Sequence, residues 1–139
     1  MYREACPPLS AERVAALRAL VDRLDIQPGP GGSRISDYAA TQALYAPVLG
    51  DVFPGRWTRA MMVALYPSSQ LVAHCDPSIL PCIRYHLPLQ LNDGCWVFSA
   101  GVWVQLQLGH IYAMHPHELH GAVNWGPTLR LHLAVDCVD

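Results

Sequence analysis

The chain contains no lysine: all nine of its basic residues are arginine. A Schiff base or a lysine nucleophile is therefore excluded. Any cation that clamps a carboxylate must be arginine, which can bind it through two parallel hydrogen bonds. Charge of either sign is scarce, at 14% of 139 residues against 52% apolar, and this describes a compact globule rather than a disordered chain. The net charge of −2 gives no electrostatic reason to expect a nucleic acid or an anionic membrane as partner. No apolar run is long enough to span a bilayer. Met1-Tyr2-Arg3-Glu4-Ala5 lacks a basic segment leading into an apolar stretch, so no secretory signal is expected. The five cysteines, at 6, 75, 82, 95 and 137, are odd in number and follow no framework spacing. They are expected to be buried free thiols of a cytoplasmic protein, not disulfides or zinc ligands.

What charge there is divides the chain. Up to Arg59 ordinary surface charges are frequent. From Ala60 onward only Asp76, Arg84, Asp93, Glu118, Arg130, Asp136 and Asp139 remain. Arg84 and Arg130 both sit inside apolar, strand-like runs, where surface solubility gives no reason for them.

The length suits one domain, residues 1–139, with a mostly helical support over 1–58 and a β core over 59–139. Ser10 is a candidate N-cap after Pro8, and Val14, Leu17, Val21 and Leu24 recur at helical spacing through Asp25. Residues 28–32 (Pro-Gly-Pro-Gly-Gly) form a loop. A second helix is expected from Asp37 to about Leu49, capped by Ser36, and both helices should cover one face of a sheet.

Eight short apolar, often alternating runs follow: 59–66, 71–74, 83–91, 95–98, 102–106, 110–114, 121–124 and 128–137. Asn92-Asp93-Gly94 and Ser99-Ala100-Gly101 have hairpin chemistry. Strands at this spacing after a helical lead-in predict a mainly β fold, a double-sheet jelly roll of the cupin kind. An immunoglobulin-like sandwich competes with it, but would not require histidines and arginines at inward-facing positions. Trp96, Trp103, Trp125 and Tyr112 are expected mostly in core packing.

His74-Cys75-Asp76 places two potential ligands two residues apart at a strand end, and antiparallel pairing can bring His120 alongside. Two imidazoles and one carboxylate on one face of a metal leave three positions open, as in the facial triad of non-haem Fe(II) oxygenases. His-x-Asp alone is a weak signal; a distal histidine with an arginine ten residues later strengthens it. The bland alternative is a pair of solvent-facing strand-end histidines. In Thr128-Leu129-Arg130-Leu131-His132-Leu133, alternation puts 128, 130 and 132 on one face and leucines on the other. An arginine pointing inward needs an anion, because an unpaired buried charge costs several kcal/mol, on the order of the desolvation of one ion. The candidates are the distal carboxylate of a dicarboxylate co-substrate or an internal salt bridge to Asp136 or Glu118. Arg84 and His86 share one face of their own run and are expected to form a second cationic patch suited to a carboxylate.

His74-Cys75-Asp76-Pro77, Arg84-Tyr85-His86-Leu87-Pro88-Leu89, His120-Gly121-Ala122-Val123-Asn124-Trp125-Gly126 and Arg130-Leu131-His132-Leu133-Ala134-Val135-Asp136 together resemble the aspartyl/asparaginyl β-hydroxylase family over about half the chain, from Pro67 to Asp136. The resemblance implies a double-stranded β-helix and an Fe(II)- and 2-oxoglutarate-dependent dioxygenase that consumes O2 and releases succinate and CO2. It implies that His74, Asp76 and His120 bind the iron and that Arg130 holds the C5 carboxylate of 2-oxoglutarate. Arg84 and His86 would contact its C1 end or a substrate carboxylate. Some vertebrate relatives lack the acidic ligand, whereas Asp76 is present here, as in the small bacterial-type branch. His115 and His117 stand where relatives often carry asparagine or aspartate.

Two other classes of function stay open on sequence. One is a different metal cupin, a thiol dioxygenase or an isomerase, with ligands from His110, His115, His117 and His120. The other is a non-catalytic jelly-roll binding module. For the oxygenase, the expected substrate bears a carboxylate or an amide: an aspartyl- or asparaginyl-like residue, an amino acid, or a peptide or natural-product precursor.

Overall fold

The computed structural model describes residues 2–23, 26–28, 34–36, 38–50, 52–53, 56–76 and 82–138. Residues 29–32 of the expected loop, the helix start at Asp37 and Pro77 of the His-Cys-Asp-Pro motif lie outside the described residues.

The elements run β1 (Arg3–Cys6), α1 (Ala11–Ala19), β2 (Ile26–Pro28), β3 (Arg34–Ser36), α2 (Tyr38–Leu49), β4 (Arg56–Leu65), β5 (Ser69–His74), β6 (Ile83–Gln90), β7 (Cys95–Ser99), β8 (Val102–Val104), β9 (Ile111–Met114), β10 (His120–Asn124) and β11 (Arg130–Val138). A turn of 3-10 helix at Leu20–Arg23 continues α1. Seven strands form one sheet in the order β1-β9-β6-β11-β4-β3-β2, and four form a second in the order β5-β10-β7-β8. Every described strand pairing is antiparallel. This is the double-sheet jelly roll that the strand spacing predicts.

Ser10 caps α1 as expected, its hydroxyl accepting from the Arg13 amide at 3.2 Å. Val14 and Leu17 of α1, with Tyr45 and Leu49 of α2, bury against one face of the seven-stranded sheet. That face carries Ala60, Met62 and Ala64 of β4, Tyr85, Leu87 and Leu89 of β6, and Leu131, Leu133, Val135 and Cys137 of β11. Burying each leucine there contributes about 1.5–3 kcal/mol. The alternate residues of the same strands necessarily point the other way, toward the four-stranded sheet. On β11 these are Arg130, His132, Ala134 and Asp136; on β6 they include Arg84 and His86. Polar residues that would be misplaced under the helices are thus gathered between the sheets.

The structure departs from the sequence-based reading in three places. The first 58 residues supply three strands as well as two helices, and β1 to β3 extend both edges of the larger sheet. Asn92-Asp93-Gly94 is not a hairpin turn, because β6 and β7 belong to different sheets and the segment crosses between them. Ser99-Ala100-Gly101 is one: Ser99 pairs with Val102, and Ala100 and Gly101 both take positive φ (51° and 81°), as a type I′ turn requires. Finally, Trp96, Trp103 and Trp125 are not core residues, being 38%, 50% and 61% exposed. Val97 faces inward on β7, so the pleat turns Trp96 outward. Tyr112 is buried, as expected.

Candidate metal centre

His74 ends β5 and His120 begins β10, and the two Cα atoms stand directly opposite each other in the antiparallel ladder. The next residue, Gly121, makes this pairing possible: a Cβ there would lie 2.8 Å from the Leu71 carbonyl and 3.1 Å from the Ala73 nitrogen. The imidazole centroids are 4.5 Å apart. Asp76 follows in the loop after β5, tied by its amide to the Pro116 carbonyl at 2.9 Å. Its Oδ1 lies 3.1 Å from His74 Nε2 and its Oδ2 lies 3.4 Å from His120 Nε2. Ligand atoms of all three residues fall within 4.8 Å of one another, and no other such group of three occurs among the described residues.

Both histidines are oriented by backbone. His74 Nδ1 donates to the Val72 carbonyl at 2.7 Å, and His120 Nδ1 donates to the Glu118 carbonyl at 2.7 Å. A carbonyl can only accept, so a proton sits on each Nδ1 and each Nε2 is turned to the Asp76 carboxylate, the ring orientation that metal-binding histidines take. The bland reading of strand-end histidines in solvent fails for His120, which is buried. Burial pushes the Asp76 carboxyl up, but its hydrogen bond to His120 and the charge of Arg84 outweigh this and hold it well below the usual carboxylate range. The site thus presents an ionised carboxylate oxygen facing two imidazole nitrogens.

Arg84 and Asp136 face each other across β6 and β11. Arg84 donates from Nε to Asp136 Oδ1 at 2.6 Å and from Nη2 to Asp136 Oδ2 at 2.9 Å, while Nη1 donates to Asp76 Oδ2. Arg59, opposite Asp136 on β4, adds a bond from Nε at 3.0 Å. The expected second cationic patch is therefore corrected: two guanidinium groups meet two carboxylates, and the row is neutral. His86 adds no charge either, since burial foremost, with the nearby arginines, depresses its pKa well below the ordinary histidine value.

Arg130 is different. It is 2% exposed, and no carboxylate among the described residues lies within salt-bridge distance. The alternative of an internal bridge to Asp136 fails because Arg84 and Arg59 occupy that carboxylate; Glu118 instead approaches Ser99. Arg130 Nε, His86 Nε2 and His132 Nε2 are all buried without a hydrogen-bond partner. Such orphaned groups are rare in folded proteins, and three on one interior wall are what the oxygens of a bound anion would satisfy. Tyr2 reaches the same interior, its ring edge-on to His86 at 5.4 Å, and burial pushes its phenol up to about 12 despite Arg130 and Arg84.

The sequence reading gave no role at the site to His132, Arg59 or Tyr2, and named Asp136 only as an alternative partner of Arg130. His132 shares the parity of Arg130 and could have been included on that ground. Asp136, Arg59 and Tyr2 carry no local signal, because only strand register brings them in. The rival ligand set is not assembled: His110 pairs with Glu4, and His115 and His117 are exposed.

Comparison with known proteins agrees with this fold. Solved structures sharing the fold include an oxidoreductase of the 2OG-Fe(II) oxygenase family from Burkholderia pseudomallei, at 15% identity and a TM-score of 0.72, covering 98% of this chain and 82% of that one. HygX from Streptomyces hygroscopicus, solved with nickel and 2-oxoglutarate bound, aligns at 17% identity and a TM-score of 0.72, covering 97% and 81%. A Pseudomonas putida prolyl-4-hydroxylase aligns at 16% identity and 0.66, covering 99% and 92%. No curated protein matches the sequence. The family model for aspartyl/asparaginyl β-hydroxylases matches residues 39–139, which include every ligand candidate and Arg130. The chain belongs to the aspartyl/asparaginyl β-hydroxylase family, and with it to the 2-oxoglutarate-dependent hydroxylases.

Proposed function

We propose that the protein hydroxylates a carboxylate- or amide-bearing substrate, an aspartyl- or asparaginyl-like group in an amino acid, peptide or natural-product precursor. The single observation that carries this reading is the convergence of His74, Asp76 and His120 on one point, in a fold whose interior also buries Arg130 with no carboxylate partner among the described residues.

In this reading His74, Asp76 and His120 hold Fe(II), and Arg130 holds the C5 carboxylate of 2-oxoglutarate. The iron and keto acid, when bound, supply oxidative decarboxylation with O2 and the oxidising power for hydroxylation. The chain's share is ligation, orientation and exclusion of water. Val72 and Glu118 carbonyls fix the two imidazoles. The inward faces of β6 and β11 form a dry wall in which Arg130 is worth more to an anion than it would be in water. His86 and His132, held neutral by burial, meet through their Nδ1 atoms at 3.4 Å, so the ring that accepts there carries its proton on Nε2 and can donate it to a carboxylate or keto oxygen. Retaining Asp76 speaks against halogenation, which needs that position vacant for a halide. No disulfide joins the five cysteines, of which Cys95 and Cys137 are buried and Cys75 is exposed, and no helix among the described residues is long and apolar enough to cross a membrane.

The test is turnover. With Fe(II), 2-oxoglutarate and O2, candidate amino acids and peptides are screened by mass spectrometry for a one-oxygen gain matched by an equal yield of succinate. A substrate with Asp or Asn character should show both, and His74→Ala should abolish both. Substrate-dependent succinate without any oxygenated product would contradict hydroxylation.

A further inference from the structure

Arg84 lies on β6, directly opposite Asp136 on β11, which in turn lies directly opposite Arg59 on β4. The three side chains therefore form a row at right angles to three adjacent strands, and Asp76 stands at the end of it. The inner members are almost sealed: the Arg84 and Asp136 side chains are 6% and 3% exposed, against 39% for Arg59. Arg84 uses one edge of its guanidinium on Asp136 and the remaining nitrogen on Asp76. To bind an incoming carboxylate it would have to give up charge-assisted hydrogen bonds to one of the two, bonds that are strong in so sheltered a place.

We propose that this row is a positioning device for the metal ligand Asp76: Arg84 holds the carboxylate in place, and Asp136 cancels the charge of Arg84 so that a cation can bind beside it. The inference rests on reading His74, Asp76 and His120 as a metal site, and deepens it. Arg84 occupies Asp76 Oδ2, which leaves Oδ1 turned toward His74 Nε2 at 3.1 Å. Without Asp136, an uncompensated guanidinium would stand against a ligand oxygen and repel the ion. Without Arg84, Asp76 would lose the side chain that, among the described residues, ties it to the seven-stranded sheet. Arg84 and Asp136 are thus positioning residues, and the co-substrate's charge is met by Arg130 alone.

The experiment titrates the apo-protein with Mn2+ alone, without 2-oxoglutarate, and reads free Mn2+ by electron paramagnetic resonance. Wild-type binding tests the triad itself; if the wild type and His74→Ala bind equally poorly, the metal reading fails whatever Asp136 does. Given wild-type binding, Asp136→Asn should weaken Mn2+ by about 10–100-fold, the usual scale for groups that orient metal ligands. Asp93→Asn, the same charge change on an exposed turn, should stay within about twofold, which is the scatter expected of a remote surface site. Asp136→Glu should recover part of the loss. Should Asp136→Asn not fold, the double variant Arg84→Met/Asp136→Asn removes both charges together, a replacement that buried ion pairs often tolerate. It isolates orientation from charge and should still bind about tenfold more weakly, at the lower end of the same range. Wild-type Mn2+ affinity in the folded Asp136 or double variant would overturn the proposal. So would a loss confined to 2-oxoglutarate binding, which would return Arg84 to the co-substrate.

Discussion

His74 and His120 are 46 positions apart in the chain, yet their Cα atoms are paired across β5 and β10 and their rings are 4.5 Å apart. The pairing depends on close backbone approach at Gly121, where a Cβ would meet the Leu71 carbonyl at 2.8 Å. Backbone on the partner strand cannot swing aside as a flexible side chain would. Gly121→Ala should therefore separate the strands at the metal end and weaken Mn2+ binding by at least tenfold, the sensitivity expected when ligand orientation is disturbed. Calorimetric titration of the folded variant checks this.

Arg130 carries an opposite expectation for stability and function. Removing a buried, unpaired cation relieves a desolvation penalty, and apolar replacements of buried charges are often neutral or stabilising by about 1–4 kcal/mol. Arg130→Met should leave the apo melting temperature unchanged or raised. It should also raise the KM for 2-oxoglutarate far more, by about a hundredfold, than it changes metal affinity, since a lost charge-assisted bidentate contact is worth about 1.5–3 kcal/mol or more. Melting curves with and without 2-oxoglutarate separate the two effects; equal changes in keto-acid and metal binding would contradict the anchor role.

Burial, with Arg130 close by, holds His86 and His132 well below the ordinary histidine pKa, so both are neutral in the folded protein. The unfolded chain, with histidines near 6.5, binds more protons than the folded one once pH falls below that value. Stability is therefore fully present above about pH 6.5 and is lost as pH falls, by up to about 1.4 kcal/mol per pH unit for each residue. Urea denaturation between pH 7.5 and 5 should show this decline, and His132→Phe should shallow the slope. A flat profile in the wild type would show that neither histidine is held neutral.

Asn124 governs the other end of β10. Its amide donates to the Leu65 and Thr128 carbonyls at 2.8 Å each and accepts from the Gly126 amide at 3.1 Å, all in a fully buried side chain. Asn124→Ala should cost about 2–4 kcal/mol, because it strands buried backbone groups. Since His120 lies at the opposite end of the strand, metal affinity of the folded fraction should be unchanged. Chemical denaturation paired with Mn2+ titration distinguishes this from a site defect.

Much of this architecture is written in local pattern. Alternation in β4, β6 and β11 gave both the strands and the face on which Arg84, His86 and Arg130 lie, because a pleat leaves no other choice. Ser10 announced α1 by its capping chemistry. β1 to β3 were not legible: they are three or four residues long, and pairing, not composition, makes them strands. Asn92-Asp93-Gly94 misled for a related reason, since the same turn residues serve a hairpin and a crossing between sheets. At the site, the three candidate ligands were legible from residue type and order, but the partners of Arg84 were not. Asp136 lies 52 positions away, and only the β6–β11 register sets it opposite.

The central claim is that His74, Asp76 and His120 grip one ferrous ion while Arg130 secures the keto acid next to it. Anaerobic addition of Fe(II) and then 2-oxoglutarate, followed by visible absorption, tests it most directly. The wild type should develop a metal-to-keto-acid charge-transfer band, abolished in His74→Ala and Asp76→Ala and requiring much higher 2-oxoglutarate in Arg130→Met. A well-folded wild type that binds neither component and shows no band would contradict it.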